Sequence, residues 1–246
     1  MNSFFPLFKL GLKRRSKDFF VLFYSIVFPT IVILLLGYLT STSYGTVFTS
    51  YYYYTLVTVP FCALMGISTV SYAAQDEKLM HTSYRFIVAP ITKTELILSK
   101  FGSSFIVLSL CNVITLGLAK FLFNMDFYGD FLAVILLLTC ESAAVTGIGL
   151  YLGLACKNLD SVRNYINLPI VIFGFLGGAF FPVSTLNPVL STIINISPLT
   201  WVTRGLVKGI YEKHFQVLWT MSIIFVMIAF IATYLTIKRF KKEAFI

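Results

Sequence analysis

Gly174 to Gly205 reads GFLGGAFFPVSTLNPVLSTIINISPLTWVTRG. It is too long for one membrane span and too apolar, with too many prolines, for an ordinary exposed loop. The apolar run stops at Phe181-Pro182, resumes over Val189 to Ile196, stops again at Ser197-Pro198 and resumes at Leu199. A helix that crosses a bilayer needs about 20 predominantly apolar residues. Only the piece ending at Phe181 approaches that length. The two later pieces can enter the membrane surface without crossing it.

The rest of the chain says which solvent this stretch meets. Of 246 residues, 58% are hydrophobic and 12% charged, and the mean hydropathy is +0.87. Such a chain does not fold in water; it is an integral membrane protein, and no soluble domain fits in what remains. In a soluble protein a formal charge of +9 would suggest nucleic acid. Here the distribution of charge argues against that partner. Fifteen of the 19 basic residues fall in four places: before the first apolar run, after the second, after the fourth and at the end of the chain. Lys120, Arg204, Lys208 and Lys213 alone occupy the alternate connections. The excess of Lys and Arg on cytoplasmic connections puts both termini in the cytoplasm, so the number of crossings is even. After a fifth span the chain then stays outside until the sixth, and residues 183–213 form an external, re-entrant helical hairpin.

The expected architecture is an all-α membrane protein with six transmembrane helices, forming a single domain over residues 1–246. Residues 1–18 hold an interfacial helix: within Asn2 to Lys17, Phe5, Phe8 and Leu12 recur at helical spacing while Lys9, Lys13 and Lys17 lie on another face, towards anionic headgroups. The first span runs from about Phe19 to Thr40, with a kink expected at Pro29. The run Tyr51 to Tyr54 anchors the second span at the membrane surface, and that span continues to about Ala74. A cytoplasmic loop over 75–100 follows, with a short helix that Pro90 ends. Thr92-Lys93-Thr94-Glu95 is a capping-box pattern that starts the third span, which runs to about Lys120. Phe131 to Cys156, Tyr165 to Phe181 and Gln216 to Ile237 complete the set.

Reactive chemistry is sparse. Cys62, Cys111, Cys140 and Cys156 lie in or at the end of apolar runs without ligand spacing and read as packing residues. His81 and His214 fall on opposite sides of the expected membrane, which denies them a shared metal site. There is no GxxxxGK[ST] phosphate loop, HExxH or GxSxG, so a catalytic site is not expected. Glu141 is the single acidic residue deep in an apolar segment. Such placement costs about 2.5 to 3.5 kcal/mol on insertion scales, so its side chain should face protein or a water-filled cavity. Gly147, Gly149 and Gly153 on the same span allow close helix packing.

Three local patterns, in order along this scaffold, resemble the membrane subunit of a type-2 ABC exporter. They are Arg85-x-x-x-Ala89-Pro90-Ile91 after the second span, Gly178-x-x-Phe181-Pro182 at the end of the fifth, and Asn195-x-x-Pro198-Leu199-Thr200-Trp201 with Arg204-Gly205 before the sixth. The resemblance implies a permease of the cell membrane that pairs with a second copy or a paralogous permease and with two cytoplasmic ABC ATPases. ATP and Mg would be bound there, not on this chain. It further implies a coupling helix that docks on the ATPase, carried over to Lys78, Leu79, His81, Arg85 and Phe86. Short external helices over Asn187 to Ile196 and Leu199 to Ile210 would close the outer gate, with Phe181, Pro182, Pro198, Trp201 and Arg204. The implied cargo is hydrophobic or amphipathic: a drug, an antimicrobial peptide or a lipid-like molecule. The pathway would follow the dimer interface, lined partly by spans one, two and five. An ion-coupled transporter using Glu141 is the competing expectation.

Overall fold

The computed structural model describes residues 3–45, 49–79, 91–123, 125, 131–155, 159–180, 188–212 and 215–240. Ten helices are numbered here in chain order: α1 Phe4–Arg15, α2 Phe19–Leu39, α3 Ser50–Ala74, α4 Asp76–Leu79, α5 Lys93–Phe123, α6 Phe131–Ala155, α7 Leu159–Leu176, α8 Pro188–Ile194, α9 Pro198–Glu212 and α10 Phe215–Arg239. Among the described residues there is no strand. Five of these helices, α2, α3, α5, α6 and α10, are long and apolar enough to cross a membrane. The fifth expected crossing coincides with α7, whose described apolar part, Ile166–Leu176, is shorter than the other five.

The helix ends follow local chemistry. Asp18 caps α2, its Oδ1 accepting from the backbone N–H of Phe20 at 3.0 Å and Val21 at 3.4 Å. The capping box before α5 is formed: Thr92 N–H donates to Glu95 Oε2 at 3.0 Å and Glu95 N–H donates to Thr92 Oγ1 at 3.2 Å. Gly178, at φ 84°, closes α7 in a Schellman motif, with Ala179 N–H donating to Gly174 O at 2.9 Å and Gly178 N–H to Phe175 O at 3.2 Å. Pro188 and Pro198 each occupy the first position of a helix, where the missing N–H costs nothing.

The expected disturbance at Pro29 is a π turn over Phe23–Val27 followed by regular helix. Proline cannot donate to the carbonyl four residues back, that of Ser25. Thr115 on α5 supplies the donor instead, its Oγ1 lying 2.8 Å from Ser25 O.

Close contacts fix the relative direction of the long helices. A Cβ at Gly66 on α3 would meet Val145 of α6 at 3.1 Å, one at Gly149 would meet Val70 Cβ at 2.7 Å, and one at Gly153 would meet Ser71 O at 2.5 Å. Contact advances along both chains together, so α3 and α6 are parallel, and glycine lets their backbones approach. Gly147 packs on Ala229 and Ala232, while Arg239 Nη1 donates to the Tyr151 hydroxyl at 2.6 Å, which makes α10 parallel to α6. On α7 the order reverses: Gly174 faces Phe61, and Gly178 O accepts from the Tyr53 hydroxyl at 3.1 Å. α5 is likewise antiparallel to α3, since Lys100 Nζ reaches Ala74 O at 3.0 Å and Tyr51 stacks on Phe123 at 4.7 Å. Three helices thus run one way, and α5 and α7 the other. α2 turns back into α3, with Ser50 Oγ donating to Gly37 O at 2.6 Å.

α3 is the central helix. In its apolar window 67% of residues are buried, against 17% in α2, whose outer face is left for lipid or a partner. The end of α1, the junction of α3 and α4, the start of α5 and the end of α10 gather at one end of the bundle, where Phe240 packs with Leu96 and Ile97. α8 and α9 lie at the opposite end.

Candidate functional site

A groove lies between α2, α3 and α7. Phe20 and Tyr24 of α2, the last turns of α3 and Asn167 of α7 enclose about 410 Å³. The α3 wall carries Met65, Ser68, Thr69 and Tyr72 at helical spacing, so one face of one helix lines the cavity. Asp18 and Asp76 complete its lining, and both sit at the end where the basic residues collect. The groove is amphipathic. Tyr24, Phe20 and Tyr72 are exposed, while Asn167 presents a buried Oδ1 that has no hydrogen-bond partner among the described residues.

Behind the α3–α4 junction lies a smaller compartment, about 40 Å³, between α1 and α5. Here Glu77 bridges two cations: Arg14 Nη1 at 3.3 Å and Lys100 Nζ in closer contact. The Glu77 side chain is 8% exposed and that of Lys100 13%, so this is a nearly buried pair, in which loss of one partner leaves a desolvated charge. Arg15, 4% exposed, pairs with Asp18 at 3.1 Å and keeps its Nε and Nη2 without hydrogen-bond partners among the described residues. Burial pushes the Arg15 pKa down, against the opposing charges of Asp18 and Asp76. Burial pushes Asp76 up, opposed chiefly by Lys100. Asp76 lines both the compartment and the groove.

These contacts tie the segment after α3 to its neighbours. Gln75 Nε2 donates to Gly153 O at 2.6 Å, and Glu77 joins α4 to α1 and α5. Of the expected coupling residues, Lys78 and Leu79 fall in α4. His81, Arg85 and Phe86 lie outside the described residues, as do Phe181 and Pro182 of the expected gate.

The other gate residues are brought together at the opposite end. Pro198 opens α9, Trp201 Nε1 donates to Asn195 O at 2.7 Å, and Arg204 Nη1 bonds Asn195 Oδ1. Ser197 Oγ and Thr200 Oγ1 donate to Phe173 O and Leu176 O at 3.1 and 3.3 Å, which fastens α9 to the end of α7. Trp201 and Arg204 therefore turn outward while Leu199, Val202 and Leu206 fill the core.

Glu141 belongs to neither place. It is fully buried on α6, and both carboxyl oxygens lack hydrogen-bond partners among the described residues. Its neighbour Ser142 accepts from Asn112 Nδ2 at 3.0 Å across the α5–α6 contact. Cys62, Cys111 and Cys140 are free thiols, and among the described residues no three His, Cys, Asp or Glu side chains gather as metal ligands.

Sequence reading missed the groove acceptors and the Glu77 bridge. Asp18 carried a usable signal, an acidic residue directly before an apolar helix. Glu77 and Lys100 carried none, because they sit on different elements and no periodicity connects them.

A family model described as ABC-2 type transporter matches residues 2–211, most of the chain. No curated protein matches it.

Proposed function

The chain belongs to the ABC-2 type transporter family, and we propose that within it the protein is the permease subunit of an ATP-driven exporter of hydrophobic or amphipathic molecules. The observation that carries this reading is the groove between α2, α3 and α7, open at the end where the segment leading to the coupling loop begins. A substrate site and the start of a force-receiving segment meet at the α3–α4 junction.

On this reading the basic end is cytoplasmic, α7 is the fifth of six crossings, and α8 and α9 form the external hairpin. The alternating helix directions support that arrangement. The chain has no GxxxxGK[ST] loop, so ATP and Mg belong to two partner ATPases, and a second copy or a paralogous permease completes the pathway in the cell membrane. Lys78, Leu79, His81, Arg85 and Phe86 form the docking surface for the ATPase. ATP binding draws the two docking segments together, and Glu77 passes the motion to α1 and α5. Phe181, Pro182, Pro198, Trp201 and Arg204 form the outer gate.

Affinity purification in mild detergent tests this reading. An ATP-hydrolysing chain co-purifies, and Arg85→Glu reduces its association or activity; a preparation that never contains such a chain contradicts the proposal.

One observation favours a second reading. Glu141 is a buried intramembrane carboxyl without a partner among the described residues, the kind of group an ion-coupled transporter uses. Glu141→Gln separates the two: an ATP-driven permease keeps its transport, whereas an ion-coupled carrier loses it.

A further inference from the structure

The α3–α4 junction sorts charge between its two sides. Arg14, Arg15 and Lys100 all line the small compartment, and among the described residues no Lys or Arg lines the groove. The groove receives the acceptors Asp18, Asp76 and Asn167, together with the rings of Phe20, Tyr24 and Tyr72.

Hydrogen-bond capacity then singles out one carboxylate. Asp18 is committed, with Oδ1 to two backbone N–H groups and Oδ2 to Arg15. Glu77 is committed to Arg14 and Lys100. Asp76 makes no hydrogen bond or ion pair among the described residues, although Arg15 lies behind it with two unpaired donors and a side chain 5% exposed. A carboxylate with free acceptor capacity, beside exposed aromatic rings and a buried unpaired amide oxygen, is complementary to a cation with an apolar body. The rings attract it by cation–π contact and the carboxylate by charge.

We propose that Asp76 is a specificity-determining residue of the groove and that the groove selects lipophilic cations. The proposal rests on the permease reading for its physiological meaning and names the substrate class of the same site. A bound cation would engage the first residue of α4, so loading of the groove acts directly on the coupling segment.

Tetraphenylphosphonium and tetraphenylborate have nearly the same shape and opposite charge, and they isolate the electrostatic term. Binding of each is measured to the purified full-length chain together with any ATPase that co-purifies. The difference between unsubstituted protein and Met65→Trp, which fills the groove, gives the specific signal. The phosphonium binds about 10-fold or more tighter than the borate, a gap of about 1.4 kcal/mol. Asp76→Asn removes most of that gap, and Asp76→Glu restores it. Equal affinity for the two ions, or phosphonium binding unchanged by Met65→Trp, overturns the proposal without any need for the Asp76→Asn variant to fold. Where Asp76→Asn unfolds normally on heating yet keeps the preference, Asp76 is not the determinant. The same preparation reports whether an ATPase is present, so failure of the cation preference is distinct from failure of the permease reading.

Discussion

Asp76 shows how much one residue's position decides. It is the first residue after the turn that ends α3, and burial raises its pKa while Lys100, Arg15 and Arg14 oppose the shift and Glu77 adds to it. A lipophilic cation binds the ionised form, so a proton competes with it. With the pKa raised, affinity for tetraphenylphosphonium falls on acidification, beginning above pH about 4, the ordinary aspartate value. Asp18 also lines the groove, so the titration is repeated with Asp76→Asn, which should flatten it. A binding curve measured across pH checks both points. Glycine decides packing in the same residue-level way. At Gly153 an added Cβ would stand 2.5 Å from Ser71 O and 2.6 Å from Ala74 Cβ, whereas at Gly117 nothing among the described residues lies within 4 Å. Gly153→Ala should destabilise the bundle by about 1–3 kcal/mol. Gly117→Ala should leave it unchanged or slightly more stable, since alanine favours helix. Thermal unfolding in detergent distinguishes the two. The three glycines on α6 were legible in the sequence as packing positions, but their partners, on α10 for Gly147 and on α3 for Gly149 and Gly153, were not, because spacing along one helix carries no information about which neighbour it meets.

At the scale of elements, α2 shows how a local fault is repaired from a distance. Pro29 withholds a donor from Ser25 O, and Thr115 of α5 supplies one at 2.8 Å, its single hydroxyl proton shared between Ser25 O and Cys111 O at 2.9 Å. Thr115→Val should cost on the order of 1 kcal/mol, the usual net worth of such a bond. In a Pro29→Ala background the helix regains its own N–H donor to Ser25 O, so the same substitution should cost clearly less. A double-mutant cycle read by thermal unfolding measures the difference; equal costs in both backgrounds would assign Thr115 no role in the repair. The sequence announced a disturbance at Pro29 and a defined start at Thr92 because both signals are local. The breaks at Pro182 and Pro198 marked off the segments that hold α8 and α9. The sequence was silent on the α1–α4–α5 contact, because Arg14, Glu77 and Lys100 come from three elements and meet only when the chain is packed.

For the whole molecule, composition and charge made the membrane class and the helical architecture readable before any contact was known. The bundle adds relative direction: α3, α6 and α10 are parallel, α5 and α7 oppose them, and the basic residues at the ends of α1 and α10 share one end with Lys93 and Lys100 of α5. A cytoplasmic basic end makes Ser43 external and Ser16 internal. In a cysteine-free chain on intact cells, an impermeant maleimide should label Ser43→Cys at once and Ser16→Cys only after the cells are opened. The reverse pattern would invert the molecule. The central claim is that energy reaches this bundle from ATP on a partner chain and moves the outer gate, and it is tested most directly at the gate itself. Ile196, 66% exposed between α8 and α9, is a suitable reporter position. Ile196→Cys is placed in the cysteine-free chain, in right-side-out vesicles that contain the ATPase partner. External maleimide labelling is then followed with and without internal ATP, in the presence of ionophores that abolish ion gradients. ATP coupling requires that ATP alone change the labelling rate and that Glu141→Gln preserve the change; a rate that ignores ATP and follows the ion gradient would contradict it.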